Sequence, residues 1–224
     1  MSAAEHPDVL RNLTGLRARI DAAARRAGRD PGNVLLLGAS KTVPAPVLAT
    51  TLAAGLVDYG ENRAQELLAK AVELDDAMPA PRWHFLGRLQ RNKVAALAPR
   101  VTLWHSVDRL EVGAAIARRA PGARILVEVN LAREDQKGGC DPDALSGLAD
   151  ELRALELQVA GLMTVPPADR DPRPFFAELR ARAERLGVGE LSMGMSGDFE
   201  VAVEEGATIV RVGRALFGAR PPVA

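Results

Sequence analysis

Residues 34–42 read Val-Leu-Leu-Leu-Gly-Ala-Ser-Lys-Thr, an apolar run that ends in two small residues and a lysine. Such a run predicts a strand buried on both faces of a parallel sheet, with Lys41 at its carboxyl end. Lysine is scarce in this chain, because the 29 basic residues include only Lys41, Lys70, Lys93 and Lys137. A desolvated amine can attack a carbonyl, whereas a guanidinium stays protonated. Lys41 is therefore a candidate for covalent amine chemistry, and the alternative is a solvated lysine that opens a loop.

Outward from this strand, apolar runs alternate with amphipathic segments along the chain. An amphipathic helix is expected first, over 9–27, and it ends at Gly28. Strands are then expected within 34–42 and at 56–60, 83–87, 101–107, 123–130, 157–163, 191–193 and 208–212. Helices are expected between them, at 44–54, 61–74, 90–97, 108–119, 142–155, 174–186 and 197–205, with a last turn at 213–217. Asp108 and Ser196 are expected to be the N-caps of the two helices that follow them.

The strict alternation of strand and helix predicts a parallel sheet, and eight such units predict closure into a (β/α)8 TIM-type barrel. We expect a single domain over residues 1–224, with the first helix as an addition to the barrel. An open, doubly wound sheet is the alternative. It is not favoured, since no Gly-x-Gly-x-x-Gly motif follows a predicted strand.

The composition restricts the classes of partner. The chain has 224 residues, of which 47% are hydrophobic and 26% charged, as in ordinary globular proteins. Its formal net charge is zero, so no overall basic field favours nucleic acid or an anionic membrane. The single Cys140 allows neither an internal disulfide nor a thiolate metal site, which fits a reducing compartment. With a polar start and no membrane-length apolar run, the sequence predicts a cytoplasmic protein without a metal site.

Polar residues concentrate where the predicted strands end. In a barrel, side chains at the carboxyl ends of the strands converge on one face, which is where such folds carry their sites. Each residue alone also fits a structural role, such as a helix cap or a buried histidine. Together they predict a site that comprises Lys41, Glu61, Asn62, His84, Gly87, His105, Ser106, Asn130, Met163, Thr164, residues 192–196, Arg211 and Gly213.

Two glycine-containing turns near the C-terminus indicate a phosphate site. Residues 193–198 read Met-Gly-Met-Ser-Gly-Asp, and residues 212–215 read Val-Gly-Arg-Ala. Such turns expose backbone N–H groups at the start of a helix, and the loops after strands seven and eight commonly hold phosphate in these barrels. An amine for an aldehyde and a cradle for a phosphate are the two features that pyridoxal 5′-phosphate (PLP) requires.

Motifs spread over nearly the whole chain resemble one family, the pyridoxal phosphate homeostasis proteins or PROSC-like group. The family is itself similar to the barrel domain of bacterial alanine racemase, without that enzyme's second domain. The motifs are Gly-Ala-Ser-Lys-Thr at 38–42, Tyr-Gly-Glu-Asn at 59–62, Trp-His-Phe-Leu-Gly at 83–87, Leu-Gln-Arg-Asn-Lys at 89–93, Val-Asn at 129–130, Lys-Gly at 137–138, Gly-Leu-Met at 161–163, Leu-Ser-Met-Gly-Met-Ser at 191–196, Val-Arg-Val-Gly at 210–213 and Phe-Gly at 217–218.

The resemblance implies a role for each matching residue. Lys41 would hold PLP as a Schiff base, and Arg211 would face the pyridine nitrogen. Lys137 matches a loop lysine connected with cofactor exchange. The phosphate would be bound by Ser196, Gly213 and Arg214, and the pocket would be lined by Asn62 and His84.

Two positions depart from the family pattern. Arg214 stands where many members carry threonine, so a hydroxyl contact to the phosphate becomes a guanidinium or backbone contact. Gly197 stands where an acidic residue is common. Neither change removes the amine or the phosphate cradle.

An arginine at the pyridine nitrogen predicts a carrier of PLP rather than an enzyme. Like charges repel, so the cation disfavours the protonated ring on which most PLP catalysis depends. We expect PLP and PLP-dependent apo-enzymes as partners, a monomer, and at most a weak racemase-type side activity. One alternative is a PLP-dependent amino-acid racemase with His84 or Tyr59 as second base. The other is an aldolase-type barrel in which Lys41 forms a Schiff base with substrate.

Overall fold

The barrel predicted from the alternation of elements is present. The computed structural model describes residues 6–134 and 136–218. Each strand pairs in parallel with the next, and the eighth pairs with the first, where Leu35 lies opposite Ile209, so the barrel is closed. The strands are β1 (Leu35–Ala39), β2 (Asp58–Glu61), β3 (Arg82–Phe85), β4 (Val101–Val107), β5 (Arg124–Glu128), β6 (Gln158–Met163), β7 (Glu190–Ser192) and β8 (Ile209–Val212).

Helices surround the barrel in the described residues. They are α1 (Pro7–Arg26), α2 (Ala45–Ala53), α3 (Ala64–Glu73), α4 (Val94–Leu97), α5 (Leu110–Arg119), α6 (Leu145–Ala154), α7 (Arg173–Leu186), α8 (Phe199–Glu204) and α9 (Arg214–Phe217). Short 3₁₀ segments lie at Pro31–Asn33 and Arg91–Lys93. The additional helix α1 is confirmed, and it packs against α2, α8 and α9, where the last strand meets the first.

Apolar side chains form two layers. The larger layer lies between strands and helices and contains bulky residues such as Trp104 and Phe176. A smaller cluster lies inside the barrel and consists of Leu37, Leu86, Leu103, Leu126, Met163 and Ile209. Because residues two apart on a strand face the same side, His105 also faces inward with Leu103, and Arg211 with Ile209. The inner cluster separates the two open ends of the barrel.

Three local predictions were wrong. Glu61 does not begin a helix: it is the last residue of β2, opposite Phe85 of β3, and α3 begins only at Ala64. Asp108 does not cap α5, because Arg109 is the N-cap residue and the Asp108 carboxylate pairs with its guanidinium. Ser196 does not cap α8, because Asp198 precedes that helix and its Oδ1 accepts a hydrogen bond from the Met195 N–H at 2.5 Å.

Within residues 6–134 and 136–218, no helix has both the length and the apolar character that crossing a bilayer requires.

Candidate functional site

Lys41 directly follows β1 and lies half-buried at the carboxyl-terminal mouth of the barrel. It lines a cavity of about 430 Å³ together with Asn62, Asn130, Lys137 and Arg211. A neighbouring cavity of about 650 Å³ shares Arg211 with the first and is lined by Ser196, Gly213 and Arg214. The structure therefore brings together, around one mouth, an amine, a buried guanidinium and the turns predicted to bind phosphate.

Hydrogen bonds hold the backbone on both sides of Lys41. Before it, the Ser40 hydroxyl donates to Glu61 Oε1 at 2.7 Å, and Lys70 Nζ donates to the Ser40 carbonyl at 2.8 Å. After it, the Thr42 N–H donates to Glu66 Oε2 at 2.8 Å. Thr42 has φ 65°, a left-handed conformation that is unfavourable for a β-branched residue and persists only where the surroundings impose it. We call these hydrogen bonds to Ser40 and Thr42 the Lys41 cradle. They fix the point at which the Lys41 side chain leaves the backbone.

The cradle is built on a buried ion pair. Lys70 Nζ lies 2.5 Å from Glu61 Oε1, and neither side chain is more than 9% exposed. Burial raises the pKa of Glu61, although the hydrogen bond from Lys70 acts in the opposite direction. Glu61 Oε2 is buried without a hydrogen-bond partner among the described residues. Sequence analysis missed this role because it assigned Glu61 and Lys70 to one helix, over 61–74, instead of to the end of a strand and the helix that follows it.

Asn62 reaches the mouth because Gly87 allows close contact between two chain segments. A Cβ atom at position 87 would lie 2.0 Å from the Asn62 carbonyl oxygen, so no side chain fits there. Gly87 follows β3, and Asn62 follows β2, so the glycine lets the ends of the two neighbouring strands lie against each other. The Gly87 of the sequence motif thus has a packing role that positions Asn62.

Arg211 is buried at the floor of the mouth. Its Nη1 donates to Ser192 Oγ at 2.7 Å, and its Nη2 donates to the Thr164 carbonyl at 2.9 Å. Burial lowers the pKa of Arg211 to about 10, against the attraction of Glu128 and Asp198. The guanidinium is therefore still a cation at neutral pH, and its orientation is held by β6 and β7.

The two C-terminal turns contact each other through one hydrogen bond. The Ala215 N–H donates to Ser196 Oγ at 3.1 Å, so the hydroxyl sits at the start of α9. The N–H groups of Gly213 and Arg214, just before Ala215, donate no hydrogen bond among the described residues, which leaves them available to an anion. Gly194 has φ 89°, and a Cβ there would lie 2.5 Å from the Ala202 Cβ, so the first turn requires glycine. Arg214 is exposed beside these groups and adds a cation.

Glu128 is a site residue that sequence analysis missed. It ends β5, lines the 430 Å³ cavity, and has the pKa of its carboxyl raised to about 7. Burial is the main cause, and the charge of Asp108 adds to it, while Arg211 and Arg88 oppose both. Its position at the end of a strand, next to Val129 and Asn130, was the signal that could have identified it.

Lys137 lies at the edge of the same cavity, on the loop between β5 and α6. Its Nζ pairs with Glu134 Oε2 at 2.6 Å. Glu134 is in turn held by Asn130, which accepts from the Glu134 N–H at 3.2 Å and donates from Nδ2 to the Glu134 carbonyl at 2.9 Å. The loop thus places a second amine within reach of the mouth.

The structure does not bring His84 to this mouth. Leu86 lies two residues further along the same face and fills the inner layer above it. His84 lines a different cavity of about 590 Å³, at the amino-terminal ends of the strands, together with Asp58 and Arg82. Sequence analysis placed His84 at the end of its strand, and the expected place in the pocket is not supported.

Tyr59 also lies away from the mouth. It is fully buried between β2 and α2, and its hydroxyl bonds with Thr51 Oγ1 at 2.8 Å and donates to the Leu56 carbonyl at 2.7 Å. Burial raises the pKa of this phenol. Neither residue considered as the second base of a racemase therefore has access to the amine.

The donor set at the mouth fits PLP. Lys41 offers an amine for the aldehyde, and Ser196, the first N–H groups of α9 and Arg214 offer donors for a dianionic phosphate. Arg211 offers a cationic donor to a ring nitrogen. The 430 Å³ cavity is within the usual range for small-molecule sites.

Known proteins with the same sequence pattern agree with this assignment. A family model described as alanine racemase, N-terminal domain, matches residues 12–221. The pyridoxal phosphate homeostasis protein of Aquifex aeolicus is 46% identical over 222 residues, which cover 93% of this chain and 96% of that protein. The structure of PipY from Synechococcus elongatus with PLP bound is 34% identical, with a TM-score of 0.82, and the match covers 94% of this chain and 100% of PipY.

Alanine racemase from Corynebacterium glutamicum shares the fold, with a TM-score of 0.64 and 21% identity, and the match covers 62% of that enzyme. Both the family model and the near full-length relatives lead to one assignment. The chain belongs to the family of pyridoxal phosphate homeostasis proteins.

Proposed function

We propose that this protein binds PLP covalently and reversibly through Lys41 and takes part in intracellular vitamin B6 homeostasis. The observation that carries the proposal is the convergence of the Lys41 amine, the buried Arg211 and the two glycine-containing turns at one mouth. The bound PLP of the related PipY and the names of the curated relatives support it.

Each residue of the mouth has a distinct task in this proposal. PLP supplies an aldehyde that condenses with an amine, and a ring that accepts electrons when its nitrogen is protonated. Lys41 provides the amine, and the cradle of Ser40 and Thr42 orients it. Asn62 lines the pocket. The phosphate is bound by Ser196, the backbone of Gly213 and Arg214, and the guanidinium of Arg214.

The buried Arg211 and the positions of Tyr59 and His84 support a carrier rather than an enzyme. A buried cation beside the ring nitrogen disfavours its protonation through like-charge repulsion. Racemisation also requires a second base on the opposite face of the substrate. Tyr59 and His84, the two candidates from the sequence, are held elsewhere by their own hydrogen bonds.

One observation favours the racemase alternative, namely Glu128, whose carboxyl has a pKa near neutrality at the mouth. A base with such a pKa is suited to proton transfer. The decisive experiment follows the circular dichroism of L- and D-alanine with the PLP-loaded protein. We expect no turnover; a rate of about one per second, abolished by Glu128→Gln, would replace the carrier proposal with a racemase.

The proposed attachment is tested by the absorption spectrum of the protein with PLP, before and after borohydride reduction, followed by peptide mapping. We expect a visible band and a reduced label on Lys41 alone. Lys41→Ala should lose both, and the control Lys93→Ala should keep both, because Lys93 lines neither cavity of the mouth. A label on another lysine, or a protein that gains no band with PLP, would contradict the proposal. The second result would favour the aldolase-type alternative.

We further propose that PLP-dependent apo-enzymes receive the cofactor from this protein, and that Lys137 assists its exchange. Lys137→Ala should slow the transfer of PLP to an apo-enzyme severalfold, while the Lys41 label remains. Lys93→Ala serves again as the control. Transfer at the rate of free PLP release, unaffected by the apo-enzyme concentration, would contradict direct hand-over.

A further inference from the structure

A chain of polar side chains passes through the barrel interior from one end to the other. His84 Nε2 lies 3.1 Å from Asp58 Oδ1, and His84 Nδ1 lies 2.9 Å from His105 Nε2. His105 Nδ1 lies 2.8 Å from Ser192 Oγ, to which Arg211 Nη1 donates at 2.7 Å. All five side chains are at most 8% exposed. This series of hydrogen-bonded side chains therefore links the cavity at the amino-terminal ends of the strands to the mouth that contains Lys41.

Asp58 and Arg211, the two end members of this hydrogen-bonded series, determine the direction of the bonds between them. Asp58 accepts two bonds from Arg82, at 2.8 and 2.5 Å. Burial acts to raise the pKa of Asp58, but the bonds from His84 and Arg82 prevail and lower it, so Asp58 is ionised and only accepts. At the other end, Arg211 only donates.

The tautomers follow from these ends. His84 must carry a proton on Nε2 to donate to Asp58, and when it is neutral its Nδ1 must accept. His105 then donates from Nε2 to His84 and accepts at Nδ1 from the Ser192 hydroxyl. Burial is the main cause that lowers the pKa of His105 well below its usual range, so that this residue stays neutral. All bonds thus point from Arg211 towards Asp58.

We propose that Asp58, His84, His105 and Ser192 form one directed hydrogen-bond relay that holds Arg211 in place as the cationic partner of the cofactor ring. His105 and Ser192 are positioning residues, because they act on the site only through Arg211. The inference rests on the proposed function, since it assigns Arg211 to the ring nitrogen of PLP.

The surroundings explain why a polar relay is present in an apolar interior. The relay runs beside the cluster that contains Leu37, Leu103 and Leu126, which excludes water from the space between the two cavities. A buried guanidinium needs acceptors there, and Ser192 Oγ accepts from it while its own proton is directed to His105. Replacing Ser192 would leave His105 and Arg211 each without one hydrogen-bond partner.

The chain has only three histidines, His6, His84 and His105, which makes a direct test possible. The test is ¹⁵N–¹H correlation of the imidazoles in uniformly ¹⁵N-labelled protein without PLP at neutral pH. We expect His105 as the neutral Nε2–H tautomer, and a proton on Nε2 of His84 that is donated to Asp58. A neutral Nδ1–H form of His105, or water-like averaging of its two nitrogens, would overturn the relay.

Variants test the link to Arg211. Ser192→Ala should shift the His105 Nδ1 resonance and weaken PLP binding about tenfold, as expected for one lost hydrogen bond to a charged group. Thr50→Val is the matched control, because its hydroxyl donates to the Pro46 carbonyl within α2, outside both the relay and the mouth. Ser192→Ala should also change the absorption band of bound PLP, which a merely structural serine would leave unchanged.

The outcomes separate the two proposals. If the tautomers are as expected but no PLP binds at Lys41, the proposed function fails while the relay stands as a structural chain without its assigned role. If PLP binds at Lys41 and Ser192→Ala changes neither His105 nor the absorption band, the relay is refuted and the carrier remains. If Ser192→Ala does not fold, the tautomers of the unmodified protein decide.

Discussion

The pKa and the exposure of the charged residues at the mouth depend on their surroundings more than on the residue type. Glu128 lies near the Arg211 cation, yet the pKa of its carboxyl is raised to about 7, because burial opposes its ionisation. Arg214 is exposed, whereas Arg211 is buried and held by two acceptors. At the scale of the residue, the site thus combines one buried cation, one exposed cation and one carboxyl whose pKa lies near neutrality.

The raised pKa of Glu128 predicts a pH-dependent stability. The folded state holds the proton up to about pH 7, but the unfolded chain releases it near pH 4.5. The contribution of the protonated Glu128 carboxyl to the free energy of unfolding is therefore complete below the pKa of the unfolded chain. It is lost as the pH rises through 7. The free energy of unfolding of Glu128→Gln should equal that of the wild type near pH 4 and exceed it by about 1–3 kcal/mol near pH 8. Urea unfolding of both proteins across this range checks the difference, and a constant offset would contradict the burial of this carboxyl.

Variants of Ser196 and Arg214, the two side chains proposed to bind phosphate, should respond differently to salt. Arg214 is exposed, so its attraction for a phosphate is screened, whereas the Ser196 hydroxyl acts by a short-range bond. Arg214→Ala should weaken PLP binding several-fold in dilute buffer and little at about 1 M salt, where the Debye length is about 3 Å. Ser196→Ala should weaken it similarly at both. Equal salt dependence of the two variants would rule out a guanidinium contact.

Among the elements, α3 has a role beyond covering the sheet. It supplies Glu66 and Lys70 to the turn after β1, and Lys70 pairs with Glu61 at the end of β2. Thr42, the residue after Lys41, has a strained backbone with positive φ. The contacts from α3, and not local preference, therefore determine the course of the backbone at Lys41. The amine is thus positioned by an element that contributes nothing to the walls of the mouth.

Removing one member of the buried Glu61–Lys70 pair should lower the free energy of unfolding more than removing both. Lys70→Met leaves the Glu61 carboxylate buried without its cation, and we expect a loss of about 3–5 kcal/mol in the free energy of unfolding. The double variant Glu61→Leu with Lys70→Met should recover most of that loss. Denaturant unfolding of the single and double variants measures the coupling. Additive losses would contradict a buried, mutually dependent pair.

At the scale of the whole molecule, the closed barrel leaves no sheet edge, and α1 covers the junction of its first and last strands. Salt bridges join α1 to α8, between Arg19 and Glu200 and between Arg26 and Glu204. Large exposed apolar side chains among the described residues are few and dispersed, at Val72, Met78, Leu110 and Met195. Such a surface lacks the contiguous apolar patch that a stable dimer needs.

We therefore predict a monomer. Sedimentation or light scattering should give a mass of 23.8 kDa that does not change with concentration or with added PLP. A mass that doubles with concentration would contradict this prediction. The expectation of one domain over residues 1–224 stays a prediction, and residues 1–5, 135 and 219–224 lie outside the described part of the chain.

Sequence patterns predicted most of the fold because they are periodic and local. The alternation of buried strands with amphipathic helices determines a closed parallel barrel, and the carboxyl ends of its strands bring Lys41, Asn62, Arg211 and the two glycine turns to one face. The bounds were less accurate where a polar residue continues a strand, as Glu61 does. Its side chain is satisfied by Lys70 in the folded protein, and that partner is not apparent from β2 alone.

By itself, the sequence determined the barrel, its amine after the first strand and its two glycine-containing turns, since each depends on neighbouring residues. Only the tertiary structure decided that His84 lies below Leu86 instead of beside Lys41, and that Glu128 faces the mouth with a raised pKa. The physical reason is that inward layers, burial and hydrogen-bond partners come from strands far apart in the chain. Their combined effect on one side chain exists only once the barrel has closed.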